Sequence, residues 1–171
     1  MQRLLFILMM LLGSATLAQA QETAGISGID VYEFGTYTAV GPSYEQPASH
    51  QGIRMEAHES YVHLETTRTI VARVGVRFGI RYRTKGTTVT PTAPLTMVWK
   101  FPAPGITGVD RHKNIRQEVV EVPVLPNESY ALTMSLDSAE DLVPGTWTFE
   151  IWSGKNKLAE EKFELILPLI S

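Results

Sequence analysis

Four arginines recur along one alternating segment, Arg73-Val74-Gly75-Val76-Arg77-Phe78-Gly79-Ile80-Arg81-Tyr82-Arg83. A strand sends successive side chains to opposite faces. The spacing therefore predicts a buried row of Val74, Val76, Phe78, Ile80 and Tyr82 and a wet row carrying Arg73, Arg77, Arg81 and Arg83. Guanidinium forks bind carboxylates and phosphates bidentately, so the wet row suits an anionic or carbohydrate polymer of the envelope or an acidic partner surface. Arg111 and Lys113, in the loop Asp110-Arg111-His112-Lys113-Asn114-Ile115-Arg116, extend the same cationic patch. The alternative is structural: Glu118, Glu150, Glu161 or Glu164 from later strands sit opposite the arginines as cross-strand pairs, each contributing about 0–1 kcal/mol and fixing register.

The other chemistry-bearing types form no recognised constellation. His50, His58, His63 and His112 lie near Glu56, Glu59 and Glu65, but no zinc spacing or His-Glu-x-x-His helix is present. His58 and His63 are five apart, which on a continuous strand puts them on opposite faces, so no metal site is expected. There is no Gly-x-Ser-x-Gly elbow and no glycine-rich phosphate loop, so no catalytic residue and no cofactor is expected. A carboxylate pair drawn from Glu56, Glu59 and Asp110 would be invisible at this level. Asn127-Glu128-Ser129 reads as a turn before Tyr130. Trp152 has the opposite parity to Trp147, so it is either an exposed ring for a partner or sugar, or a cover over the sandwich end at a bulge.

The elements that must position these residues are strands. Besides the arginine segment, the alternation predicts strands at Ile29–Tyr37, Tyr61–Ile70, Leu95–Phe101, Gln117–Val124, Tyr130–Leu136, Thr146–Ser153 and Leu158–Leu167. Leu95, Met97, Trp99 and Phe101 share one face, as do Trp147, Phe149 and Ile151, and both rows read as core. Gly41–Gly52, Thr84–Pro94, Pro102–Arg116 and Asp137–Gly145 read as loops. Pro144-Gly145 suits a type II turn launching a strand, and Ser153-Gly154-Lys155-Asn156-Lys157 a short hairpin. About eight strands without helices predict an all-β, immunoglobulin/fibronectin-like antiparallel sandwich of about 7-8 strands.

Composition agrees with a single globular domain: of 171 residues, 44% are hydrophobic and 19% charged. Arg3, the apolar run Leu4–Leu12 and the small-x-small Ala18-Gln19-Ala20 match an export signal cleaved between Ala20 and Gln21, leaving one domain over residues 21–171. The apolar run is too short to span a bilayer, which needs about 20 residues. Without any cysteine, disulfides, thiolate catalysis and thiolate metal sites are excluded. The mature chain carries 14 basic and 18 acidic residues, a balance unsuited to general nucleic-acid binding. Those charges are segregated, with ten bases and one acid between Arg68 and Arg116 and acidic blocks on both sides.

Three segments carry a family resemblance: Val31-Tyr32-Glu33-Phe34-Gly35-Thr36-Tyr37, Val74-Gly75-Val76-Arg77-Phe78-Gly79-Ile80-Arg81-Tyr82 and Leu142-Val143-Pro144-Gly145-Thr146-Trp147-Thr148-Phe149-Glu150-Ile151-Trp152. In these the chain resembles a bacterial family of small exported proteins known as a domain of unknown function. The resemblance implies an immunoglobulin-like sandwich in the periplasm or secreted, and it carries over no catalytic residue. The expectation is a non-catalytic interaction or accessory module of the envelope. An anionic or carbohydrate ligand on the arginine face is the alternative, and an enzyme of unrecognised type the second.

Overall fold

The computed structural model describes residues 25–45, 56–87, 92–107 and 114–169. The export signal with Ala20 and Gln21, and the loop residues Arg111, His112 and Lys113, lie outside them, as does His50. The described residues form nine strands: β1 (Ile26–Glu45), β2 (Glu56–Glu65), β3 (Thr69–Val71), β4 (Arg77–Gly86), β5 (Ala93–Lys100), β6 (Gln117–Val124), β7 (Ser129–Ser135), β8 (Gly145–Ser153) and β9 (Asn156–Ile166). They form a four-stranded sheet, β2-β1-β4-β7, and a five-stranded sheet, β3-β9-β8-β5-β6. Every pairing is antiparallel except β3 with β9. The all-β sandwich expected from the alternation is the architecture found.

The two sheets meet through an aromatic core. Phe78 of β4 lies 5.6 Å from Trp147, 5.5 Å from Phe149 and 5.3 Å from Phe163, so one ring of the first sheet packs among three of the second. Such pairs contribute about 0.5–1.5 kcal/mol each beyond the area they bury. The Trp147 indole N–H donates to the Val143 carbonyl at 3.0 Å, which pays the polar cost of its complete burial. Leu95, Met97, Trp99 and Ile151 are also buried, as their parity predicts. Arg68 closes one side of the sandwich. Its guanidinium sits 3.7 Å over the Phe34 ring on β1 and 3.0 Å from Glu161 on β9.

Several boundaries differ from the sequence expectation. The arginine strand starts at Arg77, because Val74 and Gly75 form a turn with Gly75 at φ +89°. Arg73 is therefore outside the row and exposed. The segment expected as Tyr61–Ile70 divides into β2 and β3, which join different sheets. β1 continues through Gly41-Pro42-Ser43, and β4 continues through Thr84 to Gly86, both expected as loop. Gly145 takes a positive φ of +119° as it opens β8, while the reversal before it is made by a 3-10 turn at Ala139–Asp141. Gly154 and Lys155 make the expected tight turn between β8 and β9.

The acids are also placed differently. Glu118, Glu150, Glu161 and Glu164 all belong to the five-stranded sheet, so none lies opposite the arginines of β4. Glu118 faces inward beside Trp99, fully buried, its Oε1 accepting the Val119 N–H at 3.1 Å. Parity explains this placement, since Trp99 and Glu118 are register partners and share the inner face.

Candidate functional site

The outer face of the four-stranded sheet gathers arginines together with tyrosines and small polar side chains. β4 contributes Arg77, Gly79, Arg81 and Arg83. Opposite them on β1 lie Tyr37, Gly35, Glu33 and Asp30, and on β7 Ser135, Thr133, Ala131 and Ser129. A register shift between Val31 and Glu33 makes Tyr32 the extra residue. Bulges re-aim a side chain in this way, and Tyr32 is half exposed on the groove described below.

The β1–β2 hairpin folds back over this face. Arg81 is in register with Glu33, whereas Tyr61 of β2 is in register with Ala39, six residues further along β1. Yet the Arg81 guanidinium donates to the Tyr61 carbonyl, and Arg77 lies 5.6 Å from the Tyr61 ring. Both contacts require the far half of the hairpin to lean onto β4. A register shift between Val40 and Ser43 supplies the bend. His58 reaches Arg77 and His63 lies 3.8 Å from Glu33, so both contact the arginine face and they do not act on opposite faces as a regular strand would require. His58 accepts from Arg77 at 3.4 Å, and His63 donates from Nε2 to the Phe34 carbonyl at 3.1 Å.

Charge on this face is partly compensated. Glu33 Oε1 lies 3.2 Å from Arg81 Nη1, and its Oε2 lies 3.8 Å from His63 Nδ1. Tyr37 is buried beneath this pair at 3% exposure, its ring 5.2 Å from His63 and 5.8 Å from Arg81. Burial and the Glu33 carboxylate push the Tyr37 phenol well above its ordinary range, against the opposing pull of Arg81. Arg77 and Arg83 have no carboxylate among the described residues within ion-pair distance. Arg77 donates to Thr133 Oγ1 at 3.3 Å and Arg83 to Ser129 Oγ at 3.4 Å.

Between the leaning hairpin and β7 lies an open groove of about 350 Å³. Tyr32 and Tyr61 line it with Arg81, His58 and small residues of β2 and β7, while the Tyr130 ring lies on the inner face, stacked 5.8 Å from Tyr82. Its volume is at the lower end of ligand sites, about 300–1,000 Å³. It is wet and polar, with rings that offer contact area and hydroxyls that offer hydrogen bonds.

Trp152 stands on the opposite side of the molecule, on the outer face of the five-stranded sheet. It follows a register shift between Ile151 and Trp152, and its Nε1–H donates to Glu150 Oε2 at 2.9 Å. Lys157 lies 5.4 Å over its ring. Glu150 is 2% exposed and also takes hydrogen bonds from Lys100 at 2.8 Å and Lys157 at 3.0 Å. Burial raises its carboxyl, but the three donors outweigh burial and hold it below the ordinary value. Trp152 is thus part of an ion network rather than a free ring. The candidate residues divide accordingly: Arg77, Arg81 and Arg83 share one face, Arg73 is off its end, and Trp152 is across the sandwich.

Glu33, Tyr37, Tyr32 and Tyr61 were not singled out by the residue pattern, and His63 was weighed only as a metal ligand. Tyr32-Glu33 lies in the first strand, but only the bulge at Tyr32 puts Glu33 on the arginine face. Among the described residues no group of three His, Cys, Asp or Glu side chains is placed to hold a metal ion.

Comparison with known proteins agrees with the fold. A crystal structure of an immunoglobulin-like protein from Pseudomonas aeruginosa, at 1.50 Å resolution, superposes with a TM-score of 0.54 at 22% identity. The match covers 86% of this chain and 99% of that one. No curated protein sequence matches the chain. The family model for the domain of unknown function DUF3859 matches residues 27–165, a span that opens in β1 and closes in β9, and the chain belongs to that family.

Proposed function

We propose that this chain is a non-catalytic protein-interaction module of the bacterial cell envelope, engaging its partner through the outer face of the four-stranded sheet. The supporting observation is the groove in which Tyr32 and Tyr61 meet Arg81 between the leaning hairpin and β7. Tyrosine and arginine are enriched at protein-binding surfaces, where rigid rings give contact area at low entropic cost. Export rests on the pattern of residues 1–20, and a sandwich of this class decides no function by itself.

Photo-crosslinking tests the reading. Tyr32 is replaced by p-benzoylphenylalanine in the full chain expressed in its own host, and the cells are irradiated. A discrete adduct of higher mass is expected in the envelope fraction. The same probe at Lys162, on the other sheet, is expected to give none. No adduct at position 32, or equal adducts at both positions, overturns the reading.

A further inference from the structure

The free edge of β7 is unlike the other edges of the two sheets. β7 carries neither a charge nor a proline. β6, an edge of the other sheet, has Glu118, Glu121 and Pro123. β2 has three glutamates and two histidines, and β3 is only three residues long. Edge strands are ordinarily blunted by charge, proline, bulges or shortness. β7 has seven residues in continuous register with β4, from Arg77 opposite Ser135 to Arg83 opposite Ser129.

Hydrogen bonds at its two ends show which way its backbone faces. The Glu128 carbonyl accepts from the Thr84 N–H at 3.0 Å, and the Leu136 N–H donates to the Val76 carbonyl at 2.9 Å. Even-numbered residues therefore point their main chain at β4. Alternation puts the N–H and C=O of Ser129, Ala131, Thr133 and Ser135 toward the open side. No described residue pairs with that side.

The same four residues place small side chains on the arginine face. Arg83 and Arg77, which lack a carboxylate among the described residues, both lean across β7, onto Ser129 and Thr133. Arg81 turns the other way, to Glu33. From this juxtaposition we propose that β7 accepts an extended acidic segment of a partner protein as an added strand, with carboxylates of alternate residues meeting Arg83 and Arg77. Main-chain pairing supplies affinity and alternate side chains supply specificity.

The dimensions fit. An added strand lies about 4.8 Å beyond β7 and so about 9.6 Å from β4, a gap that an arginine and a glutamate bridge above small residues. Arg77 and Arg83 are six residues, or about 20 Å, apart along β4, so the segment spans at least seven residues. Antiparallel pairing with a second copy sets two arginine rows on one continuous face, where like charges repel. The proposal rests on the protein-binding reading above and adds the place and chemistry of the contact.

The test uses a fluorescein-labelled ten-residue peptide of alternating Glu and Thr, its Lys-Thr counterpart, and the mature chain, read by anisotropy. Saturable binding of the Glu-Thr peptide alone is expected. Ala131→Pro removes an edge N–H that β4 does not use, and a tenfold or greater loss of binding is expected. Arg77→Gln with Arg83→Gln is expected to weaken binding and flatten its salt dependence. If Ala131→Pro fails to fold, a Glu-Thr peptide methylated on alternate backbone nitrogens is offered to the wild-type chain, again with loss expected.

Equal binding of both peptides, none of either, or no effect of blocking the edge overturns the proposal. Binding of polygalacturonate with the peptide silent overturns it in favour of a glycan, and a dimer broken by Ala131→Pro overturns it in favour of a second copy. A crosslinked partner at position 32 without peptide binding removes this proposal and leaves the module reading standing.

Discussion

Arg81 and Glu33 are direct cross-strand partners on β4 and β1, with Nη1 and Oε1 3.2 Å apart over the buried Tyr37 ring. The guanidinium also donates to the Tyr61 carbonyl, so one side chain ties three strands and holds the hairpin against the sheet. On this face Arg81 is thus ion-paired and ties the hairpin down, whereas Arg77 and Arg83 have no carboxylate within ion-pair distance among the described residues.

Removing either partner leaves a part-buried group uncompensated. Arg81→Gln and Glu33→Gln are each expected to cost about 1.5–3 kcal/mol, the range for hydrogen bonds to charged groups. The double variant is expected to lose less than the two together, with a coupling of about 0.5–3 kcal/mol. Urea midpoints of the four proteins measure this. Additive losses would mean that the pair does not act as a unit.

The Glu150 network makes stability depend on acid. Because the folded carboxyl titrates below the unfolded one, near 4.5, its contribution is present in full above that value and is lost as pH falls through the folded one. Glu160 acts in the same direction, its carboxyl drawn down to about 2 by Lys157 and Lys162. The wild-type melting temperature is expected to fall more steeply below pH 4.5 than that of Glu150→Gln. At neutral pH the variant is expected to be less stable by about 1–3 kcal/mol, because the lysines and the Trp152 N–H lose a charged acceptor. Parallel melting curves at pH 3 and 7 for both proteins would contradict it.

The sandwich was legible because most strands are regular. From Arg77 to Tyr82 every side chain falls on the face its parity assigns, and the rows ending in Trp99 and Ile151 are core. The site was less legible, for two physical reasons. A bulge such as that at Tyr32 adds one residue and exchanges the faces beyond it, so Glu33 reads as neighbour to nothing in particular until β1 and β4 are paired. Periodicity also says nothing about which sheet a strand joins. Glu150 and Glu161 look as available to the arginines as Glu33 does, yet they lie on the opposite layer. The hairpin's lean depends on a register shift within Val40-Gly41-Pro42-Ser43, where glycine and proline indicate loop as readily as bent strand.

Two glycines with positive φ should respond differently to alanine. At Gly35, φ +134°, an added Cβ would lie 1.8 Å from the Glu65 carbonyl oxygen, where the hairpin strand passes. At Gly75, φ +89°, the added atom meets nothing within 4 Å. Gly75→Ala is expected to cost about 1–2 kcal/mol, from backbone conformation alone. Gly35→Ala is expected to cost more and to loosen the hairpin, seen as faster amide exchange in β2. Equal losses in stability would mean that β2 yields to the clash.

Thr84 links the core to the edge proposed for binding. Fully buried, its hydroxyl donates to the Leu125 carbonyl at 2.7 Å and accepts the Glu128 N–H at 3.1 Å. These bonds pin the turn between β6 and β7 and so set where β7 begins. Thr84→Val keeps the shape but removes these bonds to Leu125 and Glu128, at a cost of about 0.5–1.5 kcal/mol each. The damage is local, so amides of β7 nearest Ser129 are expected to exchange faster while those of β8 stay protected. If β7 presents a pre-formed edge to its partner, the Glu-Thr peptide should bind this variant more weakly even where the protein remains fully folded. Unchanged affinity in Thr84→Val, alongside faster exchange, would mean that binding itself orders the strand.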